Sequence, residues 1–275
     1  MTGLFRRLAL AACGLFLVAG AAHAQMDERR AEGVLIADHA SVAPGSTFYA
    51  ALKMTMDDGW HIYWRNAGDA GLPPQLILKD GTTLPDGAVG NFLWPLPHVI
   101  PVVEGEIMDY GYDDREVFAF PVTVPADASG EIRIVAEADY LICESICIPE
   151  TADVSLSLPI GVPVEDTNGG AEIGQWIARV PVTFGGEASF DDAVTPWTLS
   201  LRHPGGFPEG AQIRFFPFGH EISHPAPQYL RAGTEGATLS LTPDQFGQAG
   251  ETLEGVIRVD APGAEPVGYE IAATR

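Results

Sequence analysis

The sequence predicts an all-β protein, an antiparallel β-sandwich followed by a second, smaller β-rich domain. Three observations carry that reading. Short runs rich in β-branched and aromatic residues recur along the chain with turn residues between them. Alternation at a period of two shows in Phe118-Ala119-Phe120-Pro121-Val122-Thr123-Val124 and in Ile132-Arg133-Ile134-Val135-Ala136. Finally, 31 Gly and 22 Pro in 275 residues punctuate the chain too often for a doubly wound α/β fold.

The start of the chain sets the compartment. Residues 1–24 read as a secretory signal: Arg6 and Arg7 form the charged region, residues 8–20 the apolar one, and Ala22-His23-Ala24 a small-x-small cleavage site before Gln25. A competing reading is lipoprotein processing at Cys13, since Leu10-Ala11-Ala12 precedes it, but the apolar run continues well past that cysteine. No other stretch approaches the 18 or more uninterrupted apolar residues of a spanning helix. The chain beyond Ala24 is expected to be exported to the periplasm without inserting in the membrane. It carries 13 basic and 37 acidic residues. That balance argues against nucleic acid and anionic membranes as partners.

After a polar lead-in (26–32), the predicted strands are 33–38, 47–56, 60–64, 75–78, 116–124, 131–143 and 152–158. Pro44-Gly45, Asp57-Asp58-Gly59, Lys79-Asp80-Gly81 and Ala128-Ser129-Gly130 supply turns between them. These fill a first domain over residues 25–161. A linker-like stretch, 163–170, leads to the best helix candidate, 171–179, with Ile173, Trp176 and Ile177 on one face. The second domain, 162–275, resumes with strands near 197–202, 212–218, 237–241, 253–259 and 268–272. It contains no cysteine, so its role is expected to be structural or partner-binding.

The stretch that carries chemistry is Tyr140-Leu141-Ile142-Cys143-Glu144-Ser145-Ile146-Cys147-Ile148-Pro149-Glu150. Two apolar runs flank a three-residue spacer, which predicts strand, turn and strand with Cys143 opposite Cys147. Opposed residues of an antiparallel pair lie within disulfide range, and an exported protein meets an oxidising space. Closing a loop of about five residues removes only roughly 2 kcal/mol of unfolded-state freedom. A chain this long folds without that help. The pair therefore reads foremost as an exchangeable redox centre, with an inert staple and a metal site as alternatives.

The run Gly59-Trp60-His61-Ile62-Tyr63-Trp64-Arg65-Asn66-Ala67-Gly68-Asp69-Ala70-Gly71-Leu72-Pro73, then Trp94-Pro95-Leu96-Pro97, Tyr110-Gly111-Tyr112 and the Cys143 to Glu150 segment resembles the N-terminal periplasmic domain of the DsbD family of thiol:disulfide interchange proteins, in its ScsB-like branch. The resemblance is strong over residues 33–161 and weaker beyond, where Phe215-Phe216-Pro217 carries it. It implies an immunoglobulin-like sandwich and a catalytic pair, Cys143 and Cys147, with Cys147 forming the mixed disulfide and Cys143 resolving it. It also implies a cap loop between Leu96 and Met108. The implied partners are a membrane-embedded DsbD- or CcdA-like electron donor and periplasmic thioredoxin-like proteins. The three-residue spacer is shorter than in the best-known member. The sequence ends at Arg275 without transmembrane or thioredoxin-like parts, so a separate membrane partner is expected.

Around the pair, Asp139, Glu144 and Glu150 are acidic and the nearest basic residue in sequence is Arg133, so nothing local favours a low thiol pKa. Pro149 lacks an N–H and marks either a sheet edge or the end of the hairpin. Trp60, Tyr63, Trp64 and Trp94 read as core and sheet packing. Asn66-Ala67-Gly68-Asp69-Ala70-Gly71 reads as a shaped loop, not a phosphate loop, because no lysine or helix pattern follows. His220 and His224 have a metal-like spacing, but Pro217, Gly219 and Pro225 argue against the helix it needs. No metal or cofactor is expected. The alternatives to interchange are an exported binding module with a structural disulfide and a copper-handling protein using Cys143 and Cys147 as soft ligands.

Overall fold

The computed structural model describes residues 29–233 and 236–275. The signal segment, its cleavage site after Ala24 and Cys13 lie outside the described residues. In the first half the strands run β1 (Ala31–Ala37), β2 (His39–Ser41), β3 (Thr47–Met56), β4 (His61–Gly68), β5 (Gln75–Leu78), β6 (His98–Val102), β7 (Ile107–Asp113), β8 (Arg115–Thr123), β9 (Glu131–Cys143) and β10 (Cys147–Pro159). A three-stranded sheet, β1-β3-β8, packs on a sheet ordered β10-β9-β4-β7-β6, in which β5 also pairs with β9. All these pairings are antiparallel, so this half is the expected sandwich.

The period of two explains which residues fill it. On β3, Phe48, Ala50, Leu52, Met54 and Met56 point inward; on β9, Ile132, Ile134, Ala136, Ala138, Tyr140 and Ile142 do. β8 alternates larger and smaller side chains and is covered on both faces. Phe118, Phe120 and Val122 enter the sandwich, while Val117 and Ala119 lie under helix α1 (Thr167–Ile177). Asp166 caps that helix by accepting from the amides of Asn168 and Gly169. Its buried face is Ile173 and Trp176, the face read from the sequence. A short strand, β11 (Val164–Glu165), pairs with β2 just before it.

Strands β6 and β7 have no counterpart among the predicted strands. Pro95, Pro97, Pro101, Gly105 and Gly111 interrupt the apolar pattern there. The structure accommodates Pro101 because β6 is an edge strand, where no further ladder bond is required of it. β10 begins at Cys147, five residues before the predicted start. Pro149 is paired with Leu141 within it, so it marks a sheet edge and not the end of the hairpin.

The second half forms one eight-stranded sheet: β12 (Val182–Thr183), β13 (Glu187–Asp191), β14 (Trp197–Arg202), β15 (Gln212–Pro217), β16 (Tyr229–Ala232), β17 (Gly236–Leu241), β18 (Thr252–Asp260) and β19 (Val267–Thr274). Its main path is β15-β18-β19-β13-β14-β17-β16, with β12 alongside β19. Leu199, Phe215, Leu239, Leu253, Ile257 and Ala273 form its own core. The Gln228 side chain, one residue before β16, both accepts from the amide and donates to the carbonyl of Phe215 on β15. The sheet thus curls until its two edges meet through one side-chain amide.

The halves share buried surface. Phe216 and Val256 belong to the same apolar cluster as Trp64 and Tyr110. Phe216 meets Tyr110 edge to face at 4.8 Å, and Arg65 lies 4.0 Å over the Phe218 ring. Asn66, only 5% exposed, donates to the carbonyls of Pro217 (2.8 Å) and Gly219 (2.7 Å). β4 is therefore held by the first sandwich on one side and by the second half on the other.

Candidate functional site

The β9–β10 hairpin turns through Glu144, Ser145 and Ile146, closed by a hydrogen bond from the Glu144 amide to the Ile146 carbonyl (3.1 Å). Cys143 and Cys147 are cross-strand partners with Cα atoms 4.1 Å apart, and they form a disulfide. The hairpin geometry read from the spacing is present. The two sulfurs are not equivalent: Cys143 is 2% exposed, whereas Cys147 is solvent-exposed beside the exposed Ile146.

What buries Cys143 comes from strand alternation. On β4 and the residue before it, Trp60, Ile62 and Trp64 enter the sandwich core. His61 and Tyr63 must then point to the opposite, outer face. His61 pairs with Cys143 across β4 and β9, which places that face beside the disulfide. On β7, Tyr110 and Tyr112 enter the core and Asp109 lies on the outer side. All three outer residues are buried, at 5% for His61, 0% for Tyr63 and 2% for Asp109.

The Tyr63 hydroxyl donates to Cys143 Sγ at 2.7 Å and lies 3.6 Å from Cys147 Sγ. It is also 3.5 Å from Asp109 Oδ2, which in turn is 3.7 Å from His61 Nε2. Burial, then the Asp109 charge, push the Tyr63 hydroxyl well above its usual pKa, so it stays a neutral donor. Of the Asn66–Gly71 stretch expected as a loop, Asn66–Gly68 end β4 and only Asp69–Gly71 turn away from it, closing over the ring. Gly71, at φ +100°, sits directly on Tyr63: a Cβ there would fall 2.1 Å from Cε1. The loop is pinned through the Asp69 amide to the Met108 carbonyl, the Met108 amide to Asp69 Oδ2, and the Ala70 amide to Asp109 Oδ1.

The segment from Leu96 to Met108, expected as a cap, contains β6, a 3₁₀ turn (Val103–Gly105) and the start of β7. Leu96 is buried, and the group placed on the sulfurs is Tyr63. Of the aromatics expected to pack, Trp60 and Trp64 lie in the core and Trp94 packs on Phe92 and Phe118. Tyr63 is buried too, but against the disulfide. Tyr63, His61 and Asp109 were not picked out as site residues from the sequence. The signal that marks the first two is the period of two in Trp60-His61-Ile62-Tyr63-Trp64.

His220 and His224 lie outside any helix, with ring centroids 5.4 Å apart. His224 is buried, with Nδ1 3.2 Å from Asp69 Oδ1 and its ring against Tyr110. It ties the second half to the loop over Tyr63. Among the described residues, no group of three or more His, Cys, Asp or Glu is arranged to hold a metal ion.

The model of the family described as "Thiol:disulfide interchange protein DsbD, N-terminal" matches residues 31–159. A search of curated proteins finds no match. Among solved structures, the chain is similar to the N-terminal periplasmic domain of ScsB from Proteus mirabilis, at 21% identity and a TM-score of 0.61, over 89% of this chain and 92% of that one. That likeness is one of fold, and it extends past the family segment into the second half. The hairpin disulfide and the matched segment lie in one sandwich, and over residues 31–159 the chain is similar to the N-terminal domain of the DsbD family of thiol:disulfide interchange proteins.

Proposed function

We propose that this protein is a periplasmic thiol:disulfide interchange relay in which Cys147 forms the mixed disulfide with partners and Cys143 is the sulfur released and later the resolving thiol. The observation that carries this reading is the asymmetry of the pair: Cys147 is an exposed residue at a hairpin tip, and Cys143 beneath it is 2% exposed. In-line attack needs an open path to one sulfur only. A partner thiolate attacks Cys147 Sγ, a new S–S bond forms, the Cys143–Cys147 bond breaks, and its electron pair goes to Cys143 Sγ. A second partner thiolate then attacks the partner's own sulfur in the mixed disulfide. It releases Cys147 as a thiolate, which takes a proton from water. Two electrons have entered the pair and the partner leaves as a disulfide.

The donor in this reading is a membrane-embedded DsbD- or CcdA-like protein, and the acceptors are periplasmic thioredoxin-like proteins. Two features support a soluble carrier: no helix among the described residues is long and apolar enough to cross a membrane, and the charge is strongly acidic. The buried Asp109 near the pair and the acidic Glu144 disfavour a spontaneously reactive thiolate, which suits exchange gated by docking.

Trapping tests the assignment. Cys143→Ser is expected to accumulate a covalent complex with a thioredoxin-like protein through Cys147 on non-reducing gels, and Cys147→Ser is expected to accumulate none. Equal trapping by both variants, or by neither, would overturn the assignment. So would a reduction potential for the pair well below about −300 mV, the range of structural bridges.

A further inference from the structure

We propose that Tyr63 is a catalytic residue of the pair, its phenol O–H donating the hydrogen bond that stabilises the Cys143 thiolate as the disulfide opens and as it re-forms. This rests on the interchange reading and names a residue that the reading leaves out. The departing sulfur is the buried one, so water cannot solvate the charge that develops on it. A thiolate released without a donor would carry the full cost of a buried, unpaired anion. The structure offers that sulfur one hydroxyl donor, placed 2.7 Å away and 0.9 Å closer to the leaving sulfur than to the attacked one.

The neighbours on this face cannot take over the task. Asp109 is an acceptor whose charge opposes a thiolate, and of the acceptors the Tyr63 O–H can reach it is more distant than Cys143 Sγ, 3.5 Å against 2.7 Å. His61 is directed at Asp109, with Nε2 3.7 Å from Oδ2, and packs edge to face on the Tyr63 ring at 5.3 Å. Glu144 follows Cys143 on the exposed turn and is anionic as well. Because burial and Asp109 hold the phenol protonated, Tyr63 lends a hydrogen bond and keeps its proton throughout. Gly71, packed on the ring, prevents the hydroxyl from swinging away.

The mechanism is the one written above with one addition. As the Cys143–Cys147 bond breaks, the electron pair arriving on Cys143 Sγ meets the Tyr63 O–H. In the reverse direction the same bond holds the Cys143 thiolate before it attacks Cys147 and expels the partner. The arrangement is an oxyanion hole built for sulfur, preorganised in a site that excludes water.

Tyr63→Phe removes the hydroxyl and keeps the ring. The experiment follows the rate of reduction of the pair by excess small dithiol between pH 6 and 9, with thiolate absorbance titrations of the reduced protein. A hydrogen bond to a charged group predicts reduction about tenfold to a hundredfold slower in Y63F. The Cys143 thiol should also titrate about one to two pH units higher. A folded Y63F with wild-type rate and thiol titration overturns the proposal while leaving the relay intact. A wild-type pair that small dithiols fail to reduce, and that once reduced fails to reduce thioredoxin-like proteins, overturns both. Should Y63F not fold, 3-fluorotyrosine at position 63 keeps the shape and strengthens the donor. Faster reduction is then expected, and an unchanged or slower rate overturns the role.

Discussion

Replacing Gly71 with alanine tests how tightly Tyr63 is held over the disulfide. A Cβ at Gly71 would lie 2.1, 2.2 and 2.5 Å from Tyr63 Cε1, Cζ and Cδ1. Carbon atoms in contact sit about 3.5–4.0 Å apart, so the ring or the loop must move by roughly 1.5 Å. The loop cannot simply lift, because three hydrogen bonds tie Asp69 and Ala70 to β7. Backbone strain from a side chain at φ +100° costs about 1–3 kcal/mol, and overpacking adds about 1–3 kcal/mol. The melting temperature should fall on the order of 10 °C for a chain of this size. Gly87 provides the control: it has φ +80° with nothing within 4 Å of a built Cβ, so Gly87→Ala carries the backbone cost alone. A second control is Gly71→Ala in a Tyr63→Ala background, where the cost should shrink toward that of Gly87→Ala, giving a coupling of about 1–3 kcal/mol. Thermal unfolding by circular dichroism reads the wild type and the four variants, Tyr63→Ala alone included. Equal melting temperatures for Gly71→Ala and Gly87→Ala would show that Gly71 does not seat on the ring.

Asn66→Ala should cost about 2–4 kcal/mol in urea unfolding, because it orphans the buried Pro217 carbonyl and the half-buried Gly219 carbonyl that join the halves; a loss under about 1 kcal/mol would refute that bracing. Glu116 is 1% exposed, and burial pushes its carboxyl up to about 8 from 4.5, so the folded state keeps a proton that the unfolded chain releases. Its stabilising contribution is complete below about pH 4.5 and is lost as pH rises toward 8. Glu116→Gln should therefore gain on the wild type between pH 5 and 8, and parallel stability curves would refute the assignment. His224 has the opposite sign: burial lowers its pKa, so its contribution is present above 6.5 and is lost as pH falls below that value. His224→Gln should flatten the acid limb between pH 6.5 and 5, and an unchanged limb in that variant would count against the buried His224 contact.

The sequence alone determined what depends on near neighbours. Alternation marked β8 and β9, the apolar stripe of Ile173, Trp176 and Ile177 marked the helix, and the three-residue spacer set Cys143 opposite Cys147. The same alternation separates Trp60, Ile62 and Trp64 from His61 and Tyr63, although all five are buried and Trp60, Tyr63 and Trp64 read alike as packing residues. Only the tertiary structure decided what lies on the outer face. β4 pairs with β9 through His61 and Cys143, 82 positions apart in sequence, and Asp109 arrives from β7. The β6–β7 hairpin was hidden by its prolines and glycines, and Pro101 is tolerated because β6 is an edge strand. The second half's bearing on the site, through Asn66, Phe216 and His224, was hidden as well. Hydrophobic period and turn chemistry are properties of a few consecutive residues. Strand order, and which outer face becomes covered, are set by the burial that distant segments achieve together, and it is that burial that places a phenol hydroxyl on the sulfur of the buried cysteine and leaves the other cysteine exposed.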